Sequence, residues 1–324
     1  WYNAHPDMRD LDPDLGCTAA AVIGNGNVAI DIARVLVKTR ENMAESDLPP
    51  YAADAIARSP LRDVYMFGRR GPIEAKFTNV ELREMGHLED ALAVVDPAQL
   101  PDDVGDLPEG RDRRLKEKNL ATLKGFAAQA GREVARRAHF AFFATPVEIL
   151  GGDRVEGLRL ERTRVVAGRA VGTGEFFEIP CGLVIPAVGY RSIAVEGLPF
   201  DEKSATIPNH DGRVEPGIYV VGWIKRGPSG VIGTNRPDGV KVAGHIVSDC
   251  RDSGKPAGHR LRSLLAGRGV GPVSFADWEA IDAAEIAAAV PPAPRRKFET
   301  VAAMLSVLEA PAAPALAVSG SDPE

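Results

Sequence analysis

The stretch from Thr18 to Val37 limits the possible folds more than any other. A short apolar run, Thr18 to Ile23, meets Gly24-Asn25-Gly26-Asn27-Val28-Ala29, and the residues after it place Ile30, Ala33 and Val37 on one helical face. A brief apolar run closed by glycine predicts a buried strand of a parallel sheet. The G-x-G-x-x-A spacing then predicts a strand–turn–helix unit that can seat a pyrophosphate. Gly24 permits the tight turn, Gly26 lets backbone approach a phosphate, and Ala29 is small enough for close helix–strand packing. Free N–H groups at the helix start, at the positive end of its dipole, supply the anion site. Asn27 is expected to cap the helix, and its amide could also meet a phosphate. The plainer alternative is a glycine-rich turn with an ordinary cap. The strand before and the helix after favour a dinucleotide.

The kind of dinucleotide is read at the end of the second strand. An NAD site wants an acid there for the ribose 2′-hydroxyl. Asp47 has about the right sequence distance, but Ser46-Asp47-Leu48-Pro49-Pro50 reads as a loop before a helix at Tyr51 to Arg58. The second strand is instead Asp63 to Phe67, and it runs into Gly68-Arg69-Arg70-Gly71-Pro72. Two guanidinium groups suit the 2′-phosphate of NADP, which they can grip by charge-assisted, bidentate hydrogen bonds. A solvated basic turn is the alternative. Thr78-Asn79-Val80-Glu81 fits a capping box, which spacing alone favours for Glu81. The competing reading turns Glu81 and Glu84, three apart on one helix face, toward the cofactor cleft.

Downstream, Ala91 to Val95 reads as a strand, and residues 111–137 are strongly basic and helix-prone. Ala138 to Phe143, Val155 to Arg164 and Glu175 to Ile179 read as a largely antiparallel insert. Leu183 to Val188 and Gly217 to Gly222 read as two more buried strands, each finishing on glycine. Gly222 to Asn235 then packs glycines, Lys225, Arg226 and Trp223 into one loop, and Gly230-Val231-Ile232 is expected to open a helix. Trp223 as a core anchor is the plainer reading of that loop. Ser229 lies in no G-x-S-x-G elbow, so a hydrolase gains no support.

At 324 residues the chain exceeds a typical single domain. Two domains are therefore expected, with residues 253–324 forming peripheral helices and a disordered tail. With 39 basic and 45 acidic residues the net charge is −6, which gives no general pull on nucleic acid or anionic lipid. No apolar run is long enough to span a bilayer. Cys17, Cys181 and Cys250 are scattered, and the histidines show no ligand spacing, so neither a metal site nor a disulfide framework is expected. The expected location is the cytoplasm. The chain opens on Trp1 and reads as a piece of something longer.

Taken together, Ala21 to Arg34, Gly68 to Pro72, Glu81-Leu82-Arg83-Glu84, Gly222 to Asn235 and the opening Trp1-Tyr2-Asn3-Ala4-His5-Pro6-Asp7 resemble adrenodoxin reductase-type ferredoxin–NADP reductases, most nearly the actinobacterial ones. The similarity runs from Trp1 to about Val247. It implies an α/β flavoprotein with two dinucleotide-binding domains, an NADP-binding domain over residues 1–187 and the C-terminal portion of an FAD-binding domain over 188–252, in which hydride passes from NADPH to FAD and electrons leave singly to a ferredoxin-type iron–sulfur protein. By motif position it places Asn27, Val28, Ala29 and Ile30 on the NADP pyrophosphate, Arg69 and Arg70 on its 2′-phosphate, and Glu81 nearby. Trp223, Gly230, Val231 and Ile232 would contact FAD, and Glu84 is the candidate for an active-site proton or orienting role. Such proteins begin with an FAD-binding βαβ unit carrying its own G-x-G-x-x-G, which is not seen here. Two other readings stay open: a glutamate synthase small-subunit-like NADPH:flavin oxidoreductase, and an NADPH-binding fragment without turnover.

Overall fold

The computed structural model describes residues 1–129, 131–228, 232–249 and 259–309 and divides into two compact units. The first comprises residues 1–187 and 273–324, and the second comprises 188–272.

The first unit is wound around a parallel sheet. Strand β1 (Ala19–Ile23) leads through the glycine turn into helix α1 (Asn27–Val37), followed by the short α2 (Arg40–Met43) and by α3 (Pro50–Arg58). Strand β2 (Asp63–Phe67), helix α4 (Asn79–Glu84), strand β3 (Ala91–Val95), helix α5 (Arg111–Ala127) and strand β4 (Arg136–Ala141) come next. The sheet is completed by β8 (Leu183–Pro186), in the order β3-β4-β2-β1-β8. Every pair is parallel, with Ala21 opposite both Tyr65 and Val184. Ala20, Ala21 and Val22 of β1 are fully buried, as a strand covered on both faces must be. Ile30, Ala33 and Val37 of α1 join Val64, Met66, Leu82, Leu123 and Phe140 in one core.

A separate antiparallel sheet, β5-β6-β7, is made by β5 (Ala144–Leu150), β6 (Gly157–Val166) and β7 (Arg169–Pro180). The antiparallel insert is therefore present, but its membership differs from the sequence reading. Residues 138–141 lie in β4, a central strand of the parallel sheet, and β5 takes their place in the insert. Arg136, Arg137 and His139 give β4 a polar alternation that mimics a half-exposed strand. In the fold two of these side chains are consumed internally. Arg136 donates to the carbonyls of Leu36, Ile56 and Ser59, and His139 Nε2 lies 2.7 Å from Asp63 Oδ1. The basic stretch also divides earlier than expected, α5 ending at Ala127.

The second unit contains β9 (Arg213–Glu215), β10 (Ile218–Tyr219), α6 (Trp223–Arg226), α7 (Asn235–Asp249) and α8 (His259–Gly267). The buried strand expected at Gly217 to Gly222 shrinks to Ile218 and Tyr219, which pair antiparallel with β9. Gly217 turns the chain just before Ile218, with φ +82°, and beyond Tyr219 the Val220 amide leaves β9 to donate to Gly212 O at 2.8 Å. Among its described residues the buried apolar side chains are Ala205, Ile207, Val220 and Val242, and polar contacts supply much of the rest. After it, α9 (Phe275–Ala287) and α10 (Val301–Glu309) belong to the first unit, where Glu299 pairs with Arg9 and Lys297 with Asp47.

Candidate functional site

At the carboxyl end of β1 the strand order reverses, β2 lying on one side and β8 on the other. In open parallel sheets that switch point is where ligands bind. Gly24 stands there with φ +151°, and a Cβ on it would fall 2.2 Å from the carbonyl oxygen of Ala187. Its amide donates to Phe67 O at 3.0 Å. Gly24 is thus demanded by the protein itself. Gly26 is different: it is the N-cap of α1, its backbone is extended, and a Cβ on it would meet nothing within 4 Å. The space beside it is free for a ligand.

Asn27 does not cap α1, as the sequence suggested. It sits inside the first turn, and its Oδ1 accepts the Thr78 amide at 2.8 Å. Among the described residues no side chain caps α1, and no acidic residue lies in its first turn, so the N–H groups of Asn27, Val28 and Ala29 are left open to an anion. Val28 is exposed, whereas Ala29 and Ile30 are buried against the sheet; Ile30 can serve a ligand only by holding the helix in place. Asn25 packs onto Gly68, with both polar side-chain atoms buried and without partners among the described residues. Leaving them so costs about 1–3 kcal/mol, which a bound polar ligand would recover.

Arg69 and Arg70 follow β2 directly. Their backbone is pinned: Thr163 Oγ1 donates to Arg69 O at 2.8 Å and the Phe143 amide to Arg70 O at 3.2 Å. Neither guanidinium forms an ion pair among the described residues; Arg69 is exposed and Arg70 reaches only Gly168 O at 3.4 Å. Two unspent cations on a rigid turn suit a phosphate. Asp47, the acid an NAD site would want, lies in the loop before α3, 2.9 Å from Lys297 Nζ.

The bond from Thr78 to Asn27 also rules out a complete capping box at Glu81. Thr78 Oγ1 accepts the Glu81 amide at 3.5 Å, but the reciprocal half of a capping box needs the Thr78 amide, which Asn27 already occupies. The Glu81 carboxylate turns instead toward Arg34 of α1, as does that of Glu84. Arg34 escaped the sequence reading because nothing local shows that α4 packs on α1.

In the second unit Trp223 opens α6 behind Gly222, whose φ is +69°. The indole is 37% exposed and lies 5.5 Å from the ring of Tyr190, inclined by 30°. Tyr190 was likewise missed as a partner. Asp238 accepts the Gly222 amide and Lys225 Nζ, both at 2.6 Å, which fixes the turn carrying Trp223. Of the other residues expected at a flavin, Gly230 and Val231 lie outside the described residues. Ile232 begins a single 3-10 turn ahead of α7.

Several cations of the basic stretch 111–137 are spent within the unit. Arg113 donates to Gly105 O and Leu107 O, Lys116 to Ala75 O, and Arg132 to Glu89 O. Arg111, Arg114 and Lys118 remain exposed. Among the described residues no cluster of His, Cys, Asp and Glu could hold a metal, and no helix is long and apolar enough to cross a membrane.

No family model matches the chain. Curated relatives do. NADPH-ferredoxin reductase FprA of Mycobacterium tuberculosis is 39% identical over 324 residues, covering 95% of this chain and 71% of its own length. Mitochondrial NADPH:adrenodoxin oxidoreductase of Homo sapiens is 40% identical over 309 residues, covering 89% of this chain and 63% of its own. The structure of Mycobacterium tuberculosis FprA in complex with NADPH superposes with a TM-score of 0.84 at 40% identity, covering 95% of this chain and 71% of that one. On sequence and fold together, the chain belongs to the adrenodoxin reductase-type NADPH–ferredoxin reductases.

Proposed function

We propose that the first unit binds NADPH at the carboxyl end of β1, and that the protein passes its hydride to FAD and then single electrons to a ferredoxin-type iron–sulfur protein. The observation that carries this reading is the pair of unspent guanidinium groups, Arg69 and Arg70, on the same sheet end as the uncapped start of α1. The amides of Asn27, Val28 and Ala29 take the pyrophosphate, with Gly26 leaving room for it. Arg69 and Arg70 take the 2′-phosphate, which distinguishes NADPH from NADH. Trp223, braced by Tyr190, offers an aromatic face to the flavin, and Gly222 admits it closely. FAD, when bound, converts a two-electron donor into one-electron deliveries; that chemistry belongs to the cofactor. Glu84, half-exposed on α4, is the group offered for holding a proton or orienting the nicotinamide. We assign residues 1–187 to the NADP-binding domain and 188–252 to part of an FAD-binding domain, and place the protein in the cytoplasm, where Cys17 and Cys181 stay free thiols.

Titrating the purified chain with NADPH and with NADH tests the reading. The double variant R69A/R70A should lose about 1–3 kcal/mol of NADPH affinity while NADH binding changes little. Equal losses for both nucleotides would refute the 2′-phosphate clamp. Reduction of an acidic iron–sulfur protein by NADPH in the presence of FAD tests the remaining step.

A further inference from the structure

Four charged side chains from two helices meet beside the glycine turn. The Arg34 guanidinium, 24% exposed, hydrogen-bonds Asp31 Oδ1 through Nη2 at 2.9 Å. The same nitrogen lies 3.9 Å from Glu81 Oε2, and Nη1 lies 3.8 Å from Glu84 Oε2. The carboxylates are the more exposed members, Glu81 at 29%, Asp31 at 45% and Glu84 at 46%. Among the described residues the other basic group within ion-pair distance of these carboxylates is His87, whose Nδ1 is 3.9 Å from Glu84 Oε1 and which is largely exposed, while Arg83 lies between Glu81 and Glu84 on α4.

We propose that Arg34 is a positioning residue of the NADPH site, which gathers Asp31, Glu81 and Glu84 and so limits their repulsion of the cofactor's phosphates. This rests on the reading of the α1 turn as that site. Arg34 lies seven residues beyond Asn27, about 10 Å along the helix. That exceeds the screening length of about 8 Å at physiological salt but lies well inside the length of about 30 Å at 0.01 M salt, so its charge is felt at the turn when salt is low. Asn27 ties the start of α4 to the start of α1 through Thr78, and this brings Glu81 to the same end of the sheet. Three carboxylates and one guanidinium leave a local charge of −2; without Arg34 it becomes −3, next to a ligand that is itself polyanionic. The forked side chain matters as well as its charge. Nη2 serves Asp31 and Glu81 while Nη1 serves Glu84, a two-helix bridge that a single ammonium group cannot copy fully.

The full chain is used for the test, with NADPH binding measured by titration calorimetry at low and at high potassium chloride. R34M, which keeps the length and loses the charge, should weaken NADPH binding about three- to tenfold at low salt, as expected for loss of a half-exposed charge interaction or two. The defect should shrink at high salt. R34K, which keeps the charge, should recover most of the affinity. R34M/E81Q/E84Q, which removes the carboxylates that Arg34 offsets, should bind more tightly than R34M. If R34M does not fold, as judged by its circular dichroism, R34Q replaces it. Binding by R34M equal to that of the parent chain, or a loss unchanged by salt and by the Gln substitutions, would overturn the role of Arg34 while leaving the site intact. Failure of the parent chain to bind NADPH would overturn the site reading itself and this role with it.

Discussion

Gly24 and Gly26 sit two residues apart in one motif, yet the structure assigns them opposite kinds of necessity. Substituting each by Ala separates the two. At Gly24 the backbone has φ +151°, which side-chain-bearing residues rarely adopt, and the new Cβ would lie 2.2 Å from the carbonyl oxygen of Ala187, a backbone atom that cannot swing away. Strain of about 1–3 kcal/mol and an overlap of similar size give a total of about 2–6 kcal/mol. At about 2–4 °C per kcal/mol for a domain of this size, G24A should lower the melting temperature of the first unit by about 5–20 °C.

At Gly26 the terms cancel. The extended backbone accepts Ala, and the Cβ meets nothing within 4 Å. A poorer N-cap costs about 0.5–1 kcal/mol, and the lower entropy of the unfolded chain returns about 0.4–1 kcal/mol. G26A should therefore melt within about 2 °C of the parent, but its methyl group occupies the space a pyrophosphate needs. NADPH at a hundred times its dissociation constant stabilises the parent by about 2.7 kcal/mol; a tenfold weaker site leaves about 1.4 kcal/mol. Thermal unfolding by circular dichroism, with and without NADPH, reads both effects. If G26A melts as low as G24A, or keeps the full NADPH-induced shift, the assignment of open space beside Gly26 to the cofactor is wrong.

Asn27→Ala removes the acceptor of the Thr78 amide and should cost about 1–3 kcal/mol with weaker NADPH binding, whereas Asn27→Asp keeps the acceptor and should cost less; equal melting temperatures for all three chains would contradict the Asn27–Thr78 link. Asp238→Asn should loosen the Trp223 turn, seen as a change in tryptophan fluorescence, because Lys225 and the Gly222 amide both lose a charged acceptor. The second unit should be acid-labile. Hydrogen bonds from Lys241 and His245 depress Asp211 to about 2, Lys225 depresses Asp238, and Arg213 depresses Asp249. Carboxylates held below their unfolded value of about 3.9 stabilise fully above it, and that stability fades as pH falls toward the folded values. Hydrogen-exchange protection factors across the described residues of 188–249 that did not fall between pH 5 and 2.5 would argue against this. Burial raises the Cys181 thiol, so it should resist alkylation at pH 8 until the chain is unfolded.

Elements governed by local pattern were legible. The runs at Thr18 to Ile23, Asp63 to Phe67 and Ala91 to Val95 carry their own signal, because a buried parallel strand must be apolar whatever surrounds it. The position of Arg69 and Arg70, directly after β2, was legible for a similar reason, because it follows from where that strand ends. What failed depended on partners distant in sequence. The alternation of β4 came from Arg136 and His139, whose partners are carbonyls of α1 and α3 and a carboxylate of β2. The stretch from Gly217 to Gly222 had the composition of a strand, but only Ile218 and Tyr219 found one to pair with.

Glu81 shows most sharply where local reading ends. Its spacing from Thr78 satisfies a capping box, and an isolated peptide would have every reason to form one. In the fold the amide that Glu81 would cap is taken by Asn27, fifty-one residues upstream. One tertiary hydrogen bond therefore does two things. It joins the starts of two helices at the end of the sheet, and it releases a carboxylate from a structural task into the field of Arg34. The same substitution of partners explains why Asn27 does not cap its own helix: a side chain bonded to α4 leaves the first amides of α1 uncovered for an anion. An Asn that capped α1, or a Glu that completed the box, would each fit the sequence better, and either would leave the proposed phosphate site less open.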